Sequence, residues 1–225
     1  MTTTDFQAAR HNMIENQIRC CKILDNQVLD LIGSMPREHF LPEHLKSLAY
    51  MEGRVPLPCQ QEMLSPLQEA SILQQLDLQG NERVLEIGSG VGFLTTMLAM
   101  QAESVVSCEI HAELAELART NIADHGITNA TVLQLNAMDP AAIAAAPELK
   151  QPFDVIVIAA ATRELPEHIA ALLNDGGRMI AFIGTNPVTR MVRLEKHGNQ
   201  WQERDIFETL LQDIEGVPEQ REFVF

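Results

Sequence analysis

From Arg83 onward, short apolar runs alternate with stretches whose apolar residues recur at helical spacing. Val84-Leu85-Glu86-Ile87 predicts a buried strand, followed by a glycine-rich turn and a helix to about Met100. Val105-Val106-Ser107-Cys108-Glu109 predicts a second strand, and residues 111–123 a second helix ended by His125-Gly126. Residues 131–135, 154–158 and 179–183 supply three more strands. Strands that are apolar throughout and alternate with helices belong to a parallel sheet covered on both faces. Near the end, Met191-Val192-Arg193-Leu194 and residues 202–211 flank His197-Gly198-Asn199, which predicts a closing hairpin.

Before residue 80 the pattern is different: short helices and irregular segments, punctuated by Pro36, Pro42, Pro56, Pro58 and Pro66. Asp25 is placed to cap a helix over 26–32, with Gly33 as its stop. Ser65-Pro66-Leu67-Gln68 opens another, with Ser as N-cap, Pro at the first helical position and Gln three residues on. That helix carries an apolar stripe of Leu67, Ala70, Leu73 and Leu76. The expected architecture is α/β and doubly wound, with a mostly parallel sheet and a C-terminal antiparallel hairpin. Residues 1–80 form an N-terminal helical extension, and residues 81–225 one compact α/β unit.

Composition narrows the partners. The 225-residue chain holds 31 acidic and 16 basic side chains, a net charge of -15, and its basic residues are scattered. Phosphate-backbone binding needs clustered Lys and Arg, so nucleic acid is not expected. No apolar run approaches the ~20 residues that span a bilayer, and the Met1-Thr2-Thr3-Thr4-Asp5 start lacks a secretory pattern. Cys20, Cys21, Cys59 and Cys108 show no metal or disulfide spacing and read as reduced thiols of a cytoplasmic protein; no metal is expected. Cys59 reads as a small apolar filler, and the single tryptophan, Trp201, as packing.

The strongest chemical signal is Glu86-Ile87-Gly88-Ser89-Gly90-Val91-Gly92, where the first strand turns into its helix. Missing Cβ atoms let a ligand lie against bare backbone. A dinucleotide fingerprint would carry its third glycine at the position of Phe93. An acidic residue at the loop's start suits a cationic ligand better than phosphates. S-adenosylmethionine, with a sulfonium, an ammonium and no phosphate, is such a ligand. Glu109 ends the second strand 21 residues after Gly88, where an acid accepts from ribose hydroxyls in nucleotide-binding sheets. The plainer alternative is a tight turn between two solvated strand ends.

Val84 to Gly92, Phe153-Asp154-Val155-Ile156-Val157, Leu165-Pro166 and Asp175-Gly176-Gly177-Arg178 together resemble the Rossmann-like class I methyltransferase fold. Met13-Ile14, Gln17-Ile18, Leu24-Asp25, Val28-Leu29, Met35-Pro36-Arg37-Glu38-His39-Phe40-Leu41-Pro42 and Leu48-Ala49-Tyr50 narrow the resemblance to the protein-L-isoaspartate O-methyltransferase family. That resemblance implies S-adenosyl-L-methionine as cofactor, S-adenosyl-L-homocysteine as product and repair-type esterification of L-isoaspartyl carboxyl groups. It places cofactor binding on Glu86, Gly88, Ser89, Gly90, Gly92, Glu109, Ile110, Asn136 and Ala137, with Asn136 standing where the family has an Asp.

The family signature Gly-x-Gly-Gln-Thr-Ile-Ser-x-Pro is only half kept. Read without gaps from Ala49-Tyr50, Gln61 and Pro66 match, but Glu62, Met63 and Leu64 stand for Thr, Ile and Ser. Gln61 to Leu64 form the expected substrate side, and Ser65 is a displaced candidate for the catalytic hydroxyl as well as a helix cap. A carboxylate is ionised at neutral pH (reference pKa about 3.9), so its methylation needs alignment and water exclusion more than a base. Leu64 removes a donor, and Glu62 adds a charge that opposes an anionic acceptor if it points inward. The acceptor is therefore a peptide or protein carboxylate, or a less charged small molecule. A protein that binds the cofactor without catalysis is a further alternative, and a nicotinamide dehydrogenase is disfavoured by the glycine spacing.

Overall fold

The computed structural model describes residues 5–185 and 187–217; Met1–Thr4, where a leader would begin, lie outside them. Seven strands form one sheet, in the spatial order 130–134, 104–109, 83–87, 153–162, 173–185, 188–197 and 200–209. They are β3 (Arg83–Ile87), β4 (Ser104–Glu109), β5 (Ala130–Gln134), β6 (Phe153–Thr162), β7 (Leu173–Thr185), β8 (Val188–His197) and β9 (Gln200–Thr209). The neighbours from β5 to β7 pair in parallel, whereas β8 and β9 pair antiparallel. The hairpin about Gly198-Asn199 is present, and β8 also runs back along β7 through Arg178↔Glu195 to Thr185↔Val188.

Helices cover both faces. α4 (Phe93–Ala99) and α5 (Ala112–Asp124) follow β3 and β4, and α6 (Pro140–Ala145) and α7 (Glu167–Ala170) follow β5 and β6. Alternation along β6 divides the core: Val155 and Val157 join one apolar cluster, Ile156 and Ile158 the other. The first cluster includes Met13, Val28 and Phe40 as well as Leu98 and Ile180. The N-terminal segment thus shares its core with the sheet.

That segment holds α1 (Phe6–Met13), α2 (Asn26–Ser34), the two-residue strands β1 (Val55–Pro56) and β2 (Glu62–Met63), and α3 (Pro66–Leu76). Asp25 caps α2, accepting from the backbone N–H of Gln27 and Val28. Gly33 is not the stop; the helix continues through it to Ser34. A Cβ at Gly33 would meet Ile14 at 3.5 Å, an ordinary contact, so the glycine neither ends the helix nor is required by packing there. The helix ends where Met35 turns extended ahead of Pro36, as pre-proline sterics require. Ser65 and Gln68 complete the expected capping box on α3. More of α3 is buried than one stripe, including Gln68, Glu69 and Ile72, while Leu67 is only partly covered.

All four cysteines are free thiols. Trp201 is not packed away as expected: it is 37% exposed, with the Lys196 ammonium 5.9 Å from its ring centre. β9 is an edge strand, largely exposed along its length. Among the described residues, no helix is long and apolar enough to cross a membrane.

Candidate functional site

The chain order places the site. From β3 it proceeds to β4 and β5 on one side, then returns to lay β6 on the other side of β3. Loops leaving the carboxyl ends of β3 and β6 therefore part in opposite directions, and a crevice opens between them. β6 leaves β3 after Ile158 and takes four steps, Val157 to Ala161, against two on β7. This irregularity brings Ala159 and Ala160 to the crevice wall. The resulting cleft contains about 730 Å³ of empty space, including open solvent, and reaches Gly88, Gly90, Glu109, Ile110, Asn136 and Ala137.

The three loop glycines do different work. Gly88 and Gly90 line the cleft with positive φ (95° and 52°), and the Gly90 N–H donates to Glu109 Oε2 at 2.9 Å. Gly92 does not line it. A Cβ there would lie 3.0 Å from the Ala118 carbonyl oxygen, so Gly92 lets α4 start against α5. Ser89 is buried, its hydroxyl has no hydrogen-bond partner among the described residues, and it lines a second cavity beyond the loop.

The two acids also separate. Glu86 is fully buried, accepts from the Thr95 and Ser107 hydroxyls, and does not reach the cleft. The expected negative charge at the loop's start is thus turned inward, where it ties β3 to β4 and α4. Burial pushes its carboxyl from 4.5 up to about 7, against the two hydroxyl donors. The folded state therefore holds a proton that the unfolded chain releases. Stability from this group is complete below pH 4.5 and is lost as pH rises through about 7. Glu86→Gln should flatten that part of the pH dependence of the urea midpoint, and an unchanged slope would contradict it.

Glu109 faces the cleft, as expected. Its carboxylate accepts from Gly90 N–H and, at 3.0 Å, from His111 N–H, while burial pushes its pKa upward. Asn136 is also at the wall: its Oδ1 accepts from Met138 N–H at 2.9 Å and its amide donates to the Gly216 carbonyl at 2.9 Å.

The cleft's far wall has no local signature in the sequence. Leu211, Gln212, Asp213, Ile214 and Glu215 return across the opening. They are held by Ala161 N–H to the Gln212 carbonyl (2.9 Å) and Ile214 N–H to the Ala161 carbonyl (2.7 Å). Glu215 accepts from the Gln61 amide at 2.5 Å and lies 3.2 Å from His111 Nε2. Ala159 and Ala160 did carry a signal, small residues that follow the bulky run Val155 to Ile158 within β6. Reading it required knowing which strands are neighbours.

On the substrate side, Gln61 and Glu62 line the main cleft, and Glu62, Met63 and Leu64 line the second cavity with Leu57 and Phe93. Glu62 is not an isolated negative charge: Arg54 Nη1 lies 2.6 Å from its Oε2. Ser65 lines neither cavity, and its hydroxyl accepts from Gln68 N–H as the cap of α3. Cys59 lies 3.7 Å from the Glu113 carboxylate, and burial and that neighbour push its thiol up, away from reactivity.

Glu69 also borders the second cavity, and its carboxylate is ion-paired with Arg37. Burial drives both toward neutrality, raising the acid and lowering the guanidinium.

The family model described as Protein-L-isoaspartate(D-aspartate) O-methyltransferase (PCMT) matches residues 8–211. A protein-L-isoaspartate O-methyltransferase of Koribacter versatilis is 32% identical over 215 residues, covering 96% of this chain and 92% of the relative. One of the same name from Herpetosiphon aurantiacus is 32% identical over 201 residues, 89% of this chain and 87% of the relative. A Plasmodium falciparum protein described as a protein-L-isoaspartate O-methyltransferase was crystallised with S-adenosyl-L-homocysteine. It has the same fold, with TM-score 0.74 at 18% identity over 94% of this chain and 98% of its own.

Proposed function

The chain belongs to the protein-L-isoaspartate O-methyltransferase family of S-adenosylmethionine-dependent carboxyl methyltransferases, and from that membership we propose that it esterifies L-isoaspartyl carboxyl groups in damaged proteins. The observation that carries the cofactor assignment is the charge of the main cleft. Glu62, Glu109, Asp213 and Glu215 line it, and no Lys or Arg does among the described residues. A ligand with a sulfonium and an ammonium suits that wall, whereas a pyrophosphate would meet no cation.

We assign the cofactor's seat to Gly88 and Gly90, where backbone is bare, and to Glu109, whose oxygens retain lone pairs for ribose hydroxyls. Asn136 Oδ1 retains a lone pair for an adenine amine, with Ile110 and Ala137 as flanking walls. Ser89 and Gly92 support the loop, and Glu86 fixes the strands beneath it. When bound, S-adenosylmethionine supplies an electrophilic methyl group. The chain's task is to align an ionised carboxylate with it and exclude water. Leu57, Met63 and Leu64 on one side and residues 211–215 on the other provide that exclusion. No general base is needed. The biological setting proposed is repair of cytoplasmic proteins, with no nucleic-acid partner.

The apolar wall of Leu57, Met63 and Leu64 favours a second reading, a less charged acceptor. Transfer of labelled methyl from S-adenosylmethionine to an isoaspartyl peptide, with the aspartyl peptide as control, separates the two. Base-labile label dependent on isoaspartate is expected. Its absence, alongside S-adenosylhomocysteine binding, would transfer the assignment to the second acceptor class.

A further inference from the structure

Three cavities adjoin at Glu62. It lines the cofactor cleft, the apolar cavity beyond the glycine loop, and an open groove running between Arg54 and Gln212. Lining carboxylates come from Glu62, Glu69, Glu109, Asp213 and Glu215, and Arg54 is the sole Lys or Arg among the described residues that line any of the three. Arg54 precedes β1 and Glu62 opens β2, and the hairpin register of Pro56 opposite Glu62 sets the two side chains together. The pair is accessible, with side chains 20% and 36% exposed.

We propose that Arg54 is the acceptor-binding cation: it exchanges Glu62 for the substrate carboxylate, and Glu62 is the built-in competitor for that position. The proposal rests on the isoaspartyl reading of the site. A guanidinium presents a planar fork that matches a carboxylate, and in so acidic a surround one cation decides where an anion can settle. The exchange preserves charge pairing. Arg54 is never left alone, and Glu62 turns outward to water. An accessible ion pair is weak enough to be exchanged in this way. Gln60, Gln61 and Gln212 along the groove supply neutral polar groups for flanking peptide.

The test uses the full chain, labelled S-adenosylmethionine and an isoaspartyl peptide. It also uses calorimetric titration of that peptide into the protein saturated with S-adenosylhomocysteine. Arg54→Ala should raise KM and the peptide Kd by about tenfold or more, as loss of a charge-assisted bond implies, with kcat changed far less. S-adenosylhomocysteine affinity should stay at the wild-type value, and Arg54→Lys should fall between. Glu62→Gln should do the opposite and lower KM. If Arg54→Ala leaves peptide KM and Kd unchanged, the inference is overturned. It is equally overturned if Arg54→Ala and Glu62→Gln raise KM together, since the pair would then merely hold the β1–β2 turn. Wild-type protein that gives no isoaspartyl-dependent label would instead overturn the acceptor reading itself, and this inference with it.

Discussion

Replacing Glu109 with alanine is expected to weaken S-adenosylhomocysteine binding by about a hundredfold or more, since two or three charge-assisted hydrogen bonds depend on it. The carboxylate serves the ligand and the loop at once. One oxygen holds Gly90 N–H, the other His111 N–H, in a position only 5% exposed. Without it, two backbone donors lose their partners at about 1–3 kcal/mol each, and the glycine loop loses the restraint that presents it to the cleft. Acceptors for the ribose hydroxyls vanish in the same change. Glu109→Gln should be milder, because one oxygen survives while its NH2 faces a donor. Calorimetric titration, paired with thermal unfolding to establish that the variant folds, gives the answer. A Kd within threefold of wild type would mean that the cofactor lies elsewhere.

The largest effect on stability should come from Glu69→Ala, at about 3–5 kcal/mol, the usual cost of stranding one member of a buried ion pair. Arg37 and Glu69 are 1% and 3% exposed, and the guanidinium is bound to both the Glu69 carboxylate and the Leu64 carbonyl. Its carbon also lies 4.9 Å from the centre of the Phe93 ring. Removal of Glu69 leaves the Arg37 guanidinium without its carboxylate between the N-terminal segment and α4. The paired change Arg37→Met with Glu69→Leu should recover most of the loss, because two apolar side chains need no desolvated charge between them. Urea unfolding at constant m-value measures both. A loss below about 1 kcal/mol for Glu69→Ala would show that solvent reaches the pair despite its burial.

The fold was largely legible in the sequence because its signals are local. Five apolar strands, the Asp25 and Ser65 caps and the Gly198-Asn199 turn each depend on residues close in sequence. Gly33 misled because a glycine is also tolerated inside a helix, and the stop here comes two residues later, where Pro36 forces Met35 to turn extended. At the site the limit is distance along the chain. Glu109 and Gly90 meet across 19 positions and follow the expected strand-end pattern. Glu86 is turned inward by Thr95 and Ser107, which no spacing rule announces. The repulsion expected from Glu62 ignored Arg54, eight positions earlier, because their proximity arises from the β1–β2 pairing. The wall formed by residues 211–215 depends on contacts with Ala161 and Gln61, about 50 and 150 positions away, and has no local signature.

β9 has a consequence for how the molecule behaves in a crowd. Among the described residues it ends the sheet, so one side of its backbone has no strand neighbour there, a ready template for another chain. Glu203, Arg204 and Asp205 occupy its middle, and Arg190 on β8 reaches across to Glu203 and Asp205. A foreign strand adding there would have to strip water from this row of charges. The same antiparallel extension that encloses β7 thus leaves the sheet with an edge that resists recruitment into fibrils.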